Sequence, residues 1–386
     1  MNLPALVMVF VVLLLAGCSS VVQKTPFSAN KGPLATALSG ELILGRPYKN
    51  DELPSVDLFG LTAEMRLFAE TVTASAKHKD SKAEALHQAL MTSSAHGGRG
   101  ITYTSLVTNT GINAFEQRQA NCLSYTLLYV AMARHLGLNA EVNEVMLPPT
   151  WEMRDNDTYL FMRHVNAKVF MPRKHTFSWV RVAETADVGD IVVDLEMRRF
   201  RPHYKQKVID KDLVAAQFYS NRGMELSAAG NTREAFLYLR KALLVNAEQS
   251  YIWSNFGSFY RRQKMFTEAE AIYLHGLALN PRDYTIMHNL SGLYLEQGDK
   301  VKHKEYQQRV RQHRNANPYY MFKLAEELSE RNENDKALEL LRKAIKKEKD
   351  EERFYRLAAD IYERTGDGEN AKLMRDKIYQ LSTIRF

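Results

Sequence analysis

The chain has 386 residues, 45% of them apolar and 25% charged, a composition that supports two or three globular domains and rules out a disordered or fibrous polypeptide. Lys and Arg number 52 against 45 Asp and Glu, giving a net charge of +7. The charges are interspersed along the chain, so a solvated surface accounts for them and no nucleic-acid partner is expected. Two cysteines, Cys18 and Cys122, are too few for a disulfide framework.

At the N-terminus an apolar run from Ala5 to Ala16, too short to span a membrane, ends in Leu15-Ala16-Gly17-Cys18. These four residues resemble the lipobox of bacterial lipoproteins. The resemblance implies a signal peptide over 1–17, cleavage behind Gly17, and acyl chains such as palmitate on Cys18 that hold the protein to a membrane. Ser19, not an acidic residue, follows Cys18, which by similarity to Gram-negative lipoproteins implies the outer membrane and its periplasmic face. Ser19 to Leu34 is rich in Ser, Lys, Pro and Gly and lacks periodicity, so 18–40 reads as a flexible tether. Folding is expected from near Glu41. In an oxidising compartment a lone thiol such as Cys122 is either buried or kept for its reactivity.

Helical spacing of apolar residues predicts helices over Leu61–Lys77 and Ser81–Met91, with Thr62 and Asp80-Ser81 as starts, and a loop at His96–Gly100. Next comes Gln119-Ala120-Asn121-Cys122, leading into an apolar helix that Gly137 ends. Asn121 is a good N-cap, which sets Cys122 in the first helical turn. There the free backbone N–H groups and the helix dipole stabilise a thiolate and can face an oxyanion. Gln119 is a further candidate oxyanion donor, whereas Asn121 is already explained as a cap. Strands are predicted at Ala140–Leu147, His164–Phe170 and Asp190–Leu195, with a loop at Trp151–Tyr159. Cys122 on a helix, His164 opening a strand and Asp194 ending the next supply a nucleophile, a base and an acid to orient the base. His175, Asp187 and Asp190 fall in turns, where solvation or capping explains them. A lone cysteine can also be only a small apolar core residue, in which case this half is a binding module.

The order Cys122, His164, Asp194 resembles that of the transglutaminase-like superfamily, an α+β papain-like fold. The similarity covers about 42–200, within a domain drawn at 41–205. It implies Cys122 as nucleophile, His164 as general base and Asp194 as the residue that orients it. The implied activity is that of a cysteine protease or amidase, with transamidation and a catalytically inactive binding scaffold as the alternatives. No metal or cofactor is expected, because neither His164 nor His175 has a second cysteine or a closely spaced histidine pair beside it. No Gly-rich phosphate loop follows a strand either.

Arg198, Arg199, Arg201, Lys205 and Lys207, with Pro202, read as a basic linker to a second half. There Gly223, Gly257, Ser291, Ala325 and Ala359 recur at a step of 34 residues, as do Ala235, Ala269, His303, Ala337 and Ala371. Leu226, Tyr260, Tyr294, Leu328 and Tyr362 fill the seam beside them. This pattern resembles tetratricopeptide repeats, five of them over 216–381, and implies an all-α solenoid whose groove takes a protein or peptide partner. The third unit departs from the pattern, with His303 at a small-residue position and Gln307 where an aromatic belongs.

Overall fold

The computed structural model describes residues 32–146, 164–171, 189–195 and 204–383. Cys18 and its flanking segment, the Trp151–Tyr159 loop, His175 and Asp187 lie outside them. Among the described residues no helix is long and apolar enough to cross a membrane.

The chain enters through α1 (Pro33–Ser39) and α2 (Glu41–Leu44). Residues 33–40, expected as tether, are a docked helix instead. Pro33 sits at the first helical turn, where its fixed φ suits a start, and Gly40 at φ +78° ends it. Ala37 and Leu38 are buried, the Tyr260 hydroxyl donates to the Ala37 carbonyl at 2.7 Å, and Arg240 Nε donates to the Leu38 carbonyl at 3.0 Å. A Cβ at Gly40 would lie 2.5 Å from the Phe236 ring. A small, aperiodic segment gives no helical signal, yet its lack of bulk is what lets its backbone approach an aromatic seam.

Helix α3 (Ala63–Val72) starts where expected, with Thr62 Oγ1 accepting from the Met65 N–H at 3.2 Å. Helix α4 (Lys79–Met91) begins at Lys79, so the expected Asp80-Ser81 start lies within its first turn, with Asp80 accepting from the Ser81 N–H at 2.7 Å. Strand β1 (Thr102–Tyr103), helix α5 (Gly111–Gln117) and strand β2 (Gln119–Ala120) follow, β1 and β2 pairing in parallel. Helix α6 (Cys122–His135) is the axle of this half. Every residue from Leu123 to Ala133 is buried, the mark of a helix enclosed on all sides.

Against α6 lies an antiparallel sheet of β3 (Asn139–Val145), β4 (His164–Phe170), β5 (Ile191–Val193) and β6 (Gln206–Val208), in the order β5-β4-β3-β6. Asn143 is paired with Asn166, and Ala167 with Val193. Strand β6 takes residues read from sequence as linker: its charges do not prevent an edge strand, because the backbone supplies the bonds and the side chains need only one covered face.

Among the described residues ten helices follow as five antiparallel pairs: α7 (Lys211–Ala228) with α8 (Thr232–Val245), α9 (Ser250–Arg262) with α10 (Phe266–Leu279), α11 (Tyr284–Glu296) with α12 (Lys300–Ala316), α13 (Pro318–Glu330) with α14 (Asn334–Lys347), and α15 (Glu352–Arg364) with α16 (Gly368–Thr383). The small residues sit where each pair closes: a Cβ at Gly223 would lie 2.6 Å from the Leu239 side chain, and one at Gly257 2.6 Å from the Tyr273 ring. One apolar core runs from α1 through the first half and the first three pairs to Val310. A second, separate core begins at Ala325.

Candidate functional site

The N-terminus of α6 is held by side chains before Cys122 enters the argument. Asn121 Oδ1 accepts from the Ser124 N–H at 2.8 Å and its Nδ2 donates to Thr108 Oγ1 at 2.8 Å. Asn121 is thereby committed to capping and to fastening the preceding loop. Gln119 is exposed in β2, and its backbone carbonyl accepts from Asn109 Nδ2 at 3.2 Å. Cys122, half-buried, opens the helix, and Thr126 Oγ1 donates to the Cys122 carbonyl at 2.7 Å while lying 3.4 Å from the Val165 carbonyl of β4.

His164 and Asp194 reach the same place from the sheet. His164 Nε2 is hydrogen-bonded to Asp194 Oδ2, and both residues are buried. The Cys122 side chain is near enough to the same imidazole to act on its charge. With Nε2 occupied by the carboxylate, Nδ1 is the nitrogen left for sulfur. Burial disfavours the charged ring, but the Asp194 carboxylate and the Cys122 sulfur together outweigh it and push His164 up to about 10. The arrangement favours an imidazolium held against the Asp194 carboxylate.

Behind this group runs a row of buried amides that sequence reading missed. Asn166 Nδ2 donates to Asp194 Oδ2 at 3.2 Å, and Asn143 Nδ2 donates to Asn166 Oδ1 at 2.8 Å and lies 3.0 Å from Gln206 Oε1. The row crosses the sheet from β6 to the end of β5. Asn143 Oδ1 is buried without a hydrogen-bond partner among the described residues, a polar cost of about 1–3 kcal/mol that an apolar residue would avoid. One signal was available in the sequence, since Asn166 stands two residues after His164 and so on the same face of a strand.

On the helical side, Tyr125 Oη and His87 Nδ1 are 2.7 Å apart. Burial pushes the Tyr125 phenol up and the His87 imidazole down, so the phenol donates to a neutral ring, and the field of Asp194 reaches both. Asp190, the rival carboxylate, is engaged elsewhere: Lys168 Nζ lies 3.1 Å away and Met171 N–H donates to it at 3.4 Å. Among the described residues no group of three or more His, Cys, Asp or Glu could hold a metal ion.

Residues 66–183 match the family model of the transglutaminase-like superfamily, and residues 250–283 match that of the tetratricopeptide repeat. No curated protein matches the chain. Among solved structures it is similar to MamA, residues 41 to the end, from Desulfovibrio magneticus RS-1, at 15% identity over 46% of this chain and 98% of that one, with a TM-score of 0.26. It is also similar to YrrB, described as a TPR protein with an unusual peptide-binding site, at 19% identity over 43% of this chain and 86% of that one, with a TM-score of 0.24. The chain thus carries a transglutaminase-like domain of mixed helix and sheet, followed by a helical solenoid of tetratricopeptide repeats.

Proposed function

We propose that this protein is a cysteine hydrolase of the transglutaminase-like class, a protease or amidase, whose repeats recruit the protein or peptide on which it acts. The single observation that carries the reading is the buried His164 imidazole bonded to the Asp194 carboxylate, with the Cys122 side chain near enough to act on its charge. The thiolate of Cys122 attacks an amide carbonyl carbon, and the carbonyl electron pair moves onto oxygen, within reach of the free N–H groups that begin α6. As the tetrahedral species collapses, the C–N bond breaks and the amine leaves with the proton of the His164 imidazolium, giving an acyl-thioester. Water then gives a proton to the neutral His164 and attacks the thioester, and Cys122 leaves as thiolate. Asp194 holds the ring in the orientation both steps need. An amine in place of water would give transamidation.

The lipobox-like Leu15 to Cys18 supports a lipid anchor on Cys18 and a place at the outer membrane facing the periplasm. The test of the chemistry is trapping of an acyl-enzyme by an electrophilic peptide, read by intact mass. The wild type is expected to gain one adduct at Cys122 below pH 7, and Cys122→Ala none. A wild type that stays unmodified where papain-like enzymes react would leave this half as a binding module. Persistence of a Cys18→Ser variant in the membrane fraction would show that the anchor lies elsewhere.

A further inference from the structure

In the third helix pair the departure from the repeat pattern leaves a hole. The row Leu239, Tyr273, Gln307 and Leu341 steps by 34 residues along α8, α10, α12 and α14. In the first, second and fourth pairs its large apolar member is buried. In the second pair the Tyr273 ring lies over Gly257 and its hydroxyl is 3.0 Å from Ser258 Oγ. One repeat later Gln307 replaces the ring, Gly292 replaces Ser258, and a cavity of 130 Å³ opens between α11 and α12. This is close to the size of an apolar cavity of about 150 Å³ that admits benzene. The gap also falls where the apolar core breaks, between Val310 and Ala325.

The chemistry of the walls is one-sided. Leu295 and Val310 supply apolar surface, His303 and Gln307 supply polar atoms, and Arg311 and Arg314 supply two guanidinium groups, while none of the lining residues is a carboxylate. His303 is fixed by Ser291, whose Oγ lies 3.1 Å from its Nδ1, and the Arg314 guanidinium lies 5.0 Å from the Tyr320 ring of α13. A site with room for a few carbon atoms and two cations at its wall suits an anion on a short apolar stem, because guanidinium pairs a carboxylate with both charge and directed N–H groups. We infer that this cavity is a binding subsite for a carboxylate on a short apolar stem, presented by a peptide partner. In this view the third repeat is degenerate because it binds there, and the tyrosine has given way to the guest. The site lies in the repeats and does not depend on the thiol chemistry, so either reading can fail alone.

The experiment is an NMR titration of the whole protein, following the methyl groups of Leu295 and Val310, with butyrate as probe and butyramide as its uncharged isostere. Saturable shifts with butyrate, and at least about tenfold weaker response to butyramide, are expected from the loss of one charge-assisted contact. Two further probes distinguish the source of the group: N-acetylglutamate α-amide carries it on a side chain, and N-acetylvaline carries it at a chain end. Whichever binds more tightly identifies the source. Gln307→Tyr restores the residue of the second repeat and should abolish the shifts in a protein whose circular dichroism is unchanged. Arg314→Gln should weaken butyrate about tenfold without filling the cavity. Equal binding of butyrate and butyramide, or undiminished binding in both variants, would overturn the inference.

Discussion

The first half buries Asn143, Asn166, His164 and Asp194 inside its sheet and encloses α6 on every side, whereas the repeats meet the same need for a core with small residues at a fixed step and the rings beside them. In the repeats any one contact is local, and a fault such as Gln307 leaves a hole within its own helix pair. In the first half the polar row draws on four strands from distant parts of the sequence, so a fault at one position is felt at another. Periodicity gives tolerance; a buried polar network gives placement, at a cost in stability.

The sharpest way to break this contrast is at the thiol. His164→Ala should slow trapping of an electrophilic peptide at Cys122 by about a thousandfold, since nucleophile and base act as one unit, while helical circular dichroism from the repeats is unchanged. A companion measurement uses pH. Because His164 is raised from the ordinary 6.5 to about 10 in the folded protein, the stability it contributes is complete below about 6.5 and is lost as pH rises toward 10. Melting of the first half should therefore weaken between pH 7 and 10 in the wild type and lose that part of the slope in His164→Ala.

Next in size is a core truncation in the other half. Phe354→Ala removes a fully buried ring from the second apolar core and should cost about 3–5 kcal/mol. Hydrogen exchange should report the loss in α13 to α16 alone, with trapping at Cys122 unaltered. Slower trapping in this variant would mean that the two cores are less independent than their separation suggests. A smaller effect is expected of Asn166→Leu, which keeps the volume and deletes a donor to Asp194; about 1–2 kcal/mol corresponds to roughly tenfold slower trapping. An unchanged rate would reduce the amide row to a structural feature.

How much of this could be read from the chain depends on whether the information is local. The repeats were legible because Gly223 to Ala359 and Ala235 to Ala371 repeat with one step, and five helix pairs follow it. Cys122, His164 and Asp194 could be named from their order, because a capped helix start, a strand start and a strand end have local signatures. Asn143 could not, since a polar residue at an alternating strand position reads as facing solvent until the partner strands are known, and Asn166 offered only its place two residues after His164. The docked α1 was missed for a related reason: its small side chains have no periodic face, and its partner, Tyr260, lies more than two hundred residues away.

The smallest effect tests that contact. Tyr260→Phe deletes one hydrogen bond to the Ala37 carbonyl, a loss of about 1 kcal/mol, and should speed hydrogen exchange across α1 while leaving α9 in place.

That bond, with the one from Arg240 to the Leu38 carbonyl, fixes where α1 docks. If lipid on Cys18 holds the protein, 13 residues lie between the anchor and Gly32, a span of at most roughly 50 Å. The described chain begins against the first two helix pairs. Under the proposed anchor, a pull from the bilayer would pass first into the seam between α1 and α10, and the repeats would be kept within a short radius of the membrane.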